Sequence, residues 1–478
     1  MRRFLVPVLL LAVAIAATFL ATTGASSEGS GAGETAPAAA TPVMNAARIP
    51  EWLQQPESDD ALAQAVLGVT TALPFGLPDT MCVTVARDGR RVAGHQAEID
   101  HTPGDTQRVV TAAAALDVLP PSSRFTTEVV MPTTVAVTDG LLEGNIWIIG
   151  LGDPTLTSPV GAQRLPAGLA ASDLVALADQ TAAALAELGV TAIAGGVVGD
   201  ESRYAIERDY TTEEIEPGRA VWDGDDLAIT PIGPLSALLV DNGFTFSDAG
   251  ATRVADPAAQ AAGTLAFLLV QRGIAIVNPA ATGDAPDTHR SLATVESAPR
   301  GDVVARAVVD PTTAEMLFKE ISVRGGGQGD RGSGTVSVFR TIEAMGLAPG
   351  IPVDGSGASD ANRVSCATLG ALLEHEEHGE TLRAALPAVA DTPFAACAPA
   401  SANDLRVLGT TAENTVSLVG SLMSDNGDRL SFTMVANNTA SEPLGTLLGD
   451  PCNTLTAALL EAVAGHPYDP GVDLPPPS

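Results

Sequence analysis

The feature that most constrains this 478-residue chain is the length of the part that can fold. Residues 1–25 contain an arginine pair and an apolar run, and the chain from 26 to about 47 is Gly, Ser, Ala, Thr and Pro without periodicity. We therefore assign 26–59 to a flexible linker. About 420 residues remain, whereas single cores usually comprise ~100 to 200 residues. Two domains, or one domain with a large insertion, are predicted.

The N-terminal segment predicts export. Met1-Arg2-Arg3 and the apolar run Phe4 to Leu20 match the charged and hydrophobic regions of a signal sequence, and Thr23-Gly24-Ala25 offers small residues for cleavage. Because ~20 apolar residues also span a bilayer, an uncleaved signal anchor is the alternative. We expect a secreted or cell-envelope protein that contacts membrane only through such an anchor. Residues 467–478 are read as a Pro-rich tail.

The charge distribution excludes several partners and chemistries. The formal net charge is -32, from 25 basic and 57 acidic residues, and no Lys/Arg cluster interrupts it, so nucleic acid is not expected as a partner. Lys319 is the one lysine in the chain. Arginine stays protonated, with a pKa above ~12, so it cannot act as a general base or form a Schiff base. Any mechanism that needs two lysines is excluded.

Four cysteines, Cys82, Cys366, Cys397 and Cys452, allow three pairings. None lies in a CxxC motif, and an exported protein meets an oxidising environment, so two structural disulfides are predicted. The segment His375-Glu-Glu-His378 lacks the i, i+4 spacing that places two imidazoles on one helical face, and it is read as a solvated helix end. Neither a metal site nor a cofactor is predicted.

Periodicity and turn residues predict the elements at both ends of the chain. An Ala-rich helix is expected within Thr102 to Leu119, where Pro120-Pro121 stops it. The other elements are two strands joined at Asp88-Gly89, a later strand pair, and a last helix: Met81 to Ala86, Arg91 to Gly94, Thr415 to Met423, Arg429 to Ala436, and Thr454 to Gly465. Strands at both ends with a helix between them predict an α/β (α+β) sandwich built from distant parts of the chain.

The middle of the chain reads as an inserted α+β region. Short strands alternate there with Ala/Leu-rich helices such as Ala167 to Leu188 and Pro257 to Arg272. The later glycine-rich segment Arg324 to Gly334 lacks the GxxxxGK[ST] pattern of a phosphate-binding loop, and it is read as a mobile surface loop.

Several stretches, in their order along the chain, carry a resemblance to a known family. They are Thr111 to Leu119 with Arg124 to Thr127, Ile146 to Leu156, Val198 to Arg203, Pro231 to Leu238, Val295 to Pro299, and Val353 to Gly357 with Asn362 to Ser365. The chain resembles the D-alanyl-D-alanine carboxypeptidase/endopeptidase family, the low-molecular-mass class C penicillin-binding proteins that trim peptidoglycan stem peptides. The resemblance implies a penicillin-binding/β-lactamase-like transpeptidase sandwich made of 60–125 and 301–466, with 126–300 as the inserted domain.

The first family motif, Ser-x-x-Lys, supplies a serine nucleophile and a lysine base. The matching tetrad here is Asp105-Thr-Gln-Arg108, so a carboxylate replaces the nucleophile and a permanent cation replaces the base. An Asp at a helix start with an Arg three residues later is also an ordinary cap and ion pair, worth up to ~1 kcal/mol.

The second and third motifs are also altered. Ser-x-Asn matches Val309-Asp-Pro311, where valine and proline can neither shuttle a proton nor hold a substrate amide. Lys-Thr-Gly matches Leu408-Gly409-Thr410, with no lysine within reach in either direction. The literal match Ser424-Asp-Asn426 lies between two predicted strands and is read as a hairpin turn.

These losses predict an exported pseudoenzyme that binds peptidoglycan or a cell-wall protein partner, because losing a serine nucleophile costs about 8 kcal/mol of barrier lowering. The alternative is a working serine-type peptidase with a rebuilt site, in which Asp105 would form a mixed anhydride or Thr106 would need another base. A third reading is a structural envelope protein without a ligand. The resemblance also suggests the pairings Cys82 with Cys452 and Cys366 with Cys397.

Overall fold

The structure is a computed structural model that describes residues 51–71, 80–166, 168–224, 232–412, 414–424, 427–437 and 450–466. The predicted signal segment at 1–25, the predicted tail at 467–478, and two residues of the Ser424-Asp-Asn426 tripeptide lie outside these ranges. In the described ranges, no helix is both long and apolar enough to cross a bilayer.

The helices of the described residues are α1 (Glu51–Thr71), α2 (Gln107–Val118), α3 (Pro159–Ala162), α4 (Leu174–Glu187), α5 (Pro257–Gln271), α6 (Arg300–Val309), α7 (Pro311–Arg324), α8 (Arg331–Ala344), α9 (Cys366–Leu373), α10 (Gly379–Ala385) and α11 (Thr454–Ala464). The strands are β1 (Met81–Arg87), β2 (Arg90–His95), β3 (Asp100–His101), β4 (Thr126–Pro132), β5 (Val137–Thr138), β6 (Leu141–Leu142), β7 (Ile146–Gly150), β8 (Leu156–Thr157), β9 (Ser172–Asp173), β10 (Ala192–Ile193), β11 (Val197–Asp200), β12 (Glu214–Glu216), β13 (Arg219–Ala220), β14 (Phe244–Ser247), β15 (Gly250–Arg253), β16 (Ala275–Ile276), β17 (Ala281–Thr282), β18 (His289–Glu296), β19 (Val364–Ser365), β20 (Asn403–Ala412), β21 (Thr415–Met423) and β22 (Arg429–Asn437).

One five-stranded antiparallel sheet joins the two ends of the described chain, in the order β2-β1-β22-β21-β20. The β1–β2 turn has positive φ at both Asp88 (46°) and Gly89 (82°), as expected for the tight turns that match strand twist. Cys82 pairs with Val435 across β1 and β22. This sheet brings residues 81–95 beside residues 403–437.

Successive side chains of this sheet point to two separate hydrophobic clusters, as the period of two requires. Cys82 and Val435 face the cluster that contains α2, α6, α7 and α9. Val83 and Phe432 face the cluster that contains α1 and α11. The sheet is therefore covered by helices on both faces, and β20 lies at its edge.

Helix α2 is the Ala-rich helix, and it packs against α6 and α7. Ala112 to Ala115 are at most 1% exposed. Alanine has the highest helix propensity and little side-chain bulk, so it suits a helix buried on all sides. The helix ends at Val118, because Leu119 takes an extended conformation before Pro120.

The middle of the chain forms a second five-stranded sheet, in the order β17-β11-β7-β4-β18. Helix α4 packs on β18, and α5 packs on β11. Helix α4 starts at Leu174, later than the predicted Ala167, because the Asp173 side chain accepts a hydrogen bond from Val175 N and caps the helix there. The predicted domain boundaries at 125/126 and 300/301 remain a prediction.

Three local expectations are corrected by the structure. Helix α1 begins at Glu51, inside the predicted 26–59 linker. The last four residues of the glycine-rich segment form the first turn of α8, which Asp330 caps by accepting from Ser333 N. His378 is 3% exposed rather than solvated, since its ring stacks on His375 with centroids 5.1 Å apart.

Both predicted disulfide pairings are wrong. The bridges are Cys82–Cys366, with Cα atoms 5.8 Å apart, and Cys397–Cys452, with Cα atoms 5.4 Å apart. Cys366 begins α9, which packs on β1 and β22, so its sulfur lies beside that of Cys82. The packing of α9 on the sheet therefore determines this bridge, whereas the resemblance had suggested the start of α11.

Candidate functional site

The predicted first and third motifs meet at the start of α2. Residues Gly104–Thr106 form a single 3-10 turn that leads into the helix. The backbone N–H of Asp105 donates to Oγ1 of Thr410 in the edge strand β20, at 2.7 Å. The structure thus brings Asp105 and Thr410 together, although they are far apart in sequence.

The Arg108 side chain is buried, with 6% of its surface exposed, and its charge is compensated by the protein. Nη2 donates to Oδ1 of Asp105 at 2.5 Å, and Nε donates to the carbonyl of Ser356 at 3.1 Å. Nη1 lies 3.4 Å from the Val308 carbonyl and 3.5 Å from that of Val309. Since a guanidinium stays protonated, Arg108 can hold this arrangement together but cannot accept a proton.

Asp105 does not cap α2, contrary to the sequence expectation. No side chain caps the helix, whose N-cap residue is Thr106. The carboxylate of Asp105, 31% exposed, pairs with Arg108 three residues later. The Asp105 side chain therefore contributes to the start of α2 through a charge-assisted ion pair rather than through a cap.

Thr106 is not positioned as a substitute nucleophile. Its side chain is fully buried, and its hydroxyl donates to the carbonyl of Pro103 at 2.8 Å. A hydroxyl nucleophile needs a neighbouring base within hydrogen-bond reach. Here the hydroxyl already donates its hydrogen bond to the backbone carbonyl of Pro103.

The predicted second motif lies at a break between two helices. Val309 ends α6 and contributes only its carbonyl to Arg108, whereas Pro311 begins α7. Between them Asp310 caps α7 by accepting from the backbone N–H groups of Thr312 and Thr313. The Asp310 cap therefore gives this segment a structural role at the helix break.

Asn242 also lies at this helix break, and its position there is not evident from the sequence. Its amide nitrogen donates to Oδ2 of Asp310 at 2.6 Å, and its amide oxygen accepts from Arg306 at 2.9 Å. The position has φ of 55°, a conformation that Asn tolerates better than most residues. The turn-forming residues Asp241-Asn242-Gly243 could have indicated a tight turn at this position from the sequence.

In the third motif the neighbours of Thr410 have structural roles. Leu408 is 6% exposed and belongs to the core cluster around α2. Gly409 pairs with Leu418 in β21. Among the three predicted positions, Thr410 is the one whose side chain accepts a hydrogen bond from the turn that carries Asp105.

The loop from Asp354 to Gly357 forms the other side of the site. Asp354 is fully buried and accepts from Trp222 Nε1, Asn362 Nδ2 and the backbone N–H groups of Gly357 and Ser359, at 2.6 to 2.8 Å. The carbonyl of Ser356 accepts from Arg108. Val353 to Gly357 is one of the stretches that carry the family resemblance, but the sequence alone does not show that this loop contacts Arg108.

A buried carboxyl group supports this loop from below. Oε1 of Glu315, in α7, accepts from the backbone N–H groups of Gly355 and Ser356 at 3.0 and 2.7 Å. Burial and, secondly, the nearby carboxylate of Asp354 raise the pKa of Glu315 to about 8. Oε2 has no hydrogen-bond partner within the described part of the chain. Glu315 is therefore mostly protonated at neutral pH.

Lys319 has a structural environment. Its side chain is 1% exposed, and Nζ donates to Oε2 of Glu207 at 2.5 Å and to the carbonyl of Gly329 at 2.9 Å. These two contacts tie the side chain to α7's neighbours, and among the described residues none of its hydrogen bonds reaches the Asp105 turn. For the residues that the structure covers, no group of three His, Cys, Asp or Glu side chains could hold a metal ion.

Comparison with known proteins identifies the fold and the family. A model of the family described as D-Ala-D-Ala carboxypeptidase 3 (S13) matches residues 76–251 and 247–458. The chain is 28% identical to Carboxypeptidase Rv3627c of Mycobacterium tuberculosis over 67% of this chain and 66% of that protein. It is 27% identical to Carboxypeptidase DacB of Mycolicibacterium smegmatis, over 91% and 92% of the two chains.

A solved structure shows the same architecture. Penicillin binding protein 4 of Haemophilus influenzae matches with a TM-score of 0.63 at 20% identity, over 84% of this chain and 99% of that one. The predicted fold class, a penicillin-binding-type α/β sandwich, is confirmed.

Proposed function

Because the chain belongs to the D-Ala-D-Ala carboxypeptidase 3 (S13) family, we propose that it is an exported, catalytically inactive member that binds peptidoglycan or a cell-wall protein. The observation that carries the proposal is the buried Arg108 and its pairing with Asp105 at the start of α2. The family uses a nucleophile and a base at the positions that we align with these residues. Here a carboxylate stands in place of the serine hydroxyl, and a guanidinium that stays protonated stands in place of the lysine base.

The surroundings of the pair support a binding role over a rebuilt active site. The hydroxyl of Thr106 is buried and bonded to a carbonyl, and Lys319 is bound to Glu207. Asp105, by contrast, keeps about a third of its side-chain surface exposed beside Thr410. The turn therefore offers a polar surface for contact, and its one exposed carboxylate is held in an ion pair with Arg108.

Export is supported by the signal-like N-terminus and by two disulfides, which persist in oxidising compartments. The family acts on peptidoglycan peptides, so a cell-wall polymer is the first ligand to test. The formal charge of -32 makes nucleic acid an unsuitable partner.

Incubation with fluorescent penicillin and with a D-Ala-D-Ala peptide tests inactivity. We expect neither a stable acyl adduct nor release of D-alanine, with Carboxypeptidase DacB of Mycolicibacterium smegmatis tested in parallel as a relative named for this activity. An adduct or D-alanine release with this chain would support the alternative, a working peptidase.

Cosedimentation with purified cell wall tests binding. We expect the chain to sediment with the wall, and we expect Asp105→Asn to weaken this more than the exposed control Glu461→Gln. Equal binding by the two variants would place the contact elsewhere on the protein. No binding by the unmodified chain would favour a purely structural envelope protein.

A further inference from the structure

A pocket of about 160 Å³ lies apart from the Asp105 turn, where four segments of the chain meet. These segments are the connection from α2 to β4, the end of β7, the residues after β11, and the C-terminal end of α7. The residues that supply its charge are Arg124, Arg203, Glu320 and Arg324. Three guanidinium groups and one carboxylate give this lining a formal charge of +2, in a chain whose net charge is -32.

The one carboxylate of the lining has no acceptor capacity left. Oε2 of Glu320 accepts from Nε of Arg203 and from the Tyr204 hydroxyl, each at 2.9 Å. Oε1 accepts from Nη2 of Arg203 and from Nε of Arg324, each at 2.8 Å. Each oxygen thus accepts two hydrogen bonds, which matches the roughly four lone-pair sites of a carboxylate.

The arginines retain donors that Glu320 cannot satisfy. Nε is the one nitrogen of Arg324 that donates to Glu320, and neither Nη atom of Arg324 makes a hydrogen bond to any residue that the structure describes. Arg124 uses Nη1 on the Ser297 carbonyl, and its Nε lies 3.8 Å from the exposed carboxylate of Glu296. Several charged donors therefore converge on one small pocket.

We propose that this pocket binds a phosphoryl dianion. Guanidinium groups present paired donors that fit phosphate oxygens, and the +2 lining matches two negative charges. The cavity has room for about five water molecules at ~30 Å³ each, which suits one phosphate group. The source is either free phosphate or a phosphate ester on a larger molecule.

Binding of inorganic phosphate to the full chain, measured by isothermal titration calorimetry at pH 8 and fixed ionic strength, tests this proposal. We expect saturable binding that is at least tenfold tighter than that of acetate, a monoanion. Arg124→Gln and Arg324→Gln should each weaken phosphate binding by about tenfold, because each removes charge-assisted donors. Both side chains are more than 40% exposed, so the variants should fold.

Arg91→Gln is the matched control, since Arg91 lies on β2, is 51% exposed and pairs with Glu98. Its phosphate affinity should equal that of the unmodified chain. A glycerol phosphate arm separates the sources: competition with inorganic phosphate at similar affinity indicates an ester ligand, and failure to compete indicates free phosphate. No saturable binding, equal affinity for acetate, or unchanged affinity in both pocket variants would overturn the proposal.

Discussion

The protonated Glu315 links the stability of this protein to pH, and Glu315→Gln should remove that link. The side chain is fully buried in α7, and Oε1 accepts from the N–H groups of Gly355 and Ser356. Glutamine has the shape of the neutral acid, and its amide oxygen can accept the same two hydrogen bonds. The substitution therefore retains the packing and removes the titration.

The sign and size of the effect follow from the pKa of Glu315, which rises from 4.5 to about 8 on folding through burial and the Asp354 charge. Between these values the folded state holds a proton that the unfolded chain has lost. The stability that this proton contributes is fully present below pH 4.5 and is lost as the pH rises through 8. At 1.36 kcal/mol per pKa unit, the loss amounts to about 5 kcal/mol at most.

Urea unfolding at several pH values between 4.5 and 9 measures this effect as the difference in unfolding free energy between Glu315→Gln and the unmodified chain. Other titrating groups are common to both proteins, so they cancel in the difference. We expect the variant to gain several kcal/mol relative to the unmodified chain across this range, and the exposed control Glu461→Gln to gain less than about 0.5 kcal/mol. Parallel pH profiles for Glu315→Gln and the unmodified chain would refute the reasoning.

Three further substitutions test the contacts around the site. Asp105→Ala should destabilise the protein by about 3 kcal/mol, because it leaves the buried guanidinium of Arg108 without its counter-charge. A double-mutant cycle with Arg108→Met should show at least ~1 kcal/mol of coupling, and additive effects would contradict the pairing. Gly357→Ala should lower the free energy of urea unfolding by more than ~2 kcal/mol, since φ is +87° and a Cβ would lie 2.0 Å from the carbonyl oxygen of Gly104. The control Gly301→Ala, where a Cβ would have no atom within 4 Å, should change stability by less than about 1 kcal/mol. Cys82→Ala should cost about 2 to 5 kcal/mol by opening a bridge between residues 284 apart, and peptide mapping without reduction should show the intact bridge to the start of α9 in the unmodified chain.

Local chemistry made some elements predictable from sequence. The β1–β2 hairpin follows from an Asp-Gly turn between apolar runs, and α2 follows from its Ala-rich composition and the proline that stops it. Where local composition misled, neighbouring elements decided the outcome. Helix α1, whose first residues were read as linker, packs against β2 and α11, and tertiary packing commonly overrides weak local propensity.

The candidate site shows the same division. The sequence by itself determined which side chains stand at the motif positions, and so determined that Asp105 and Arg108 replace a nucleophile and a base. It could not pair the cysteines, because the bridge to Cys82 depends on α9 packing against β1. Nor does the sequence show that burial raises the pKa of Glu315, or that three arginines line one pocket with Glu320. Burial and the convergence of distant segments produce those properties, and only the tertiary structure creates them.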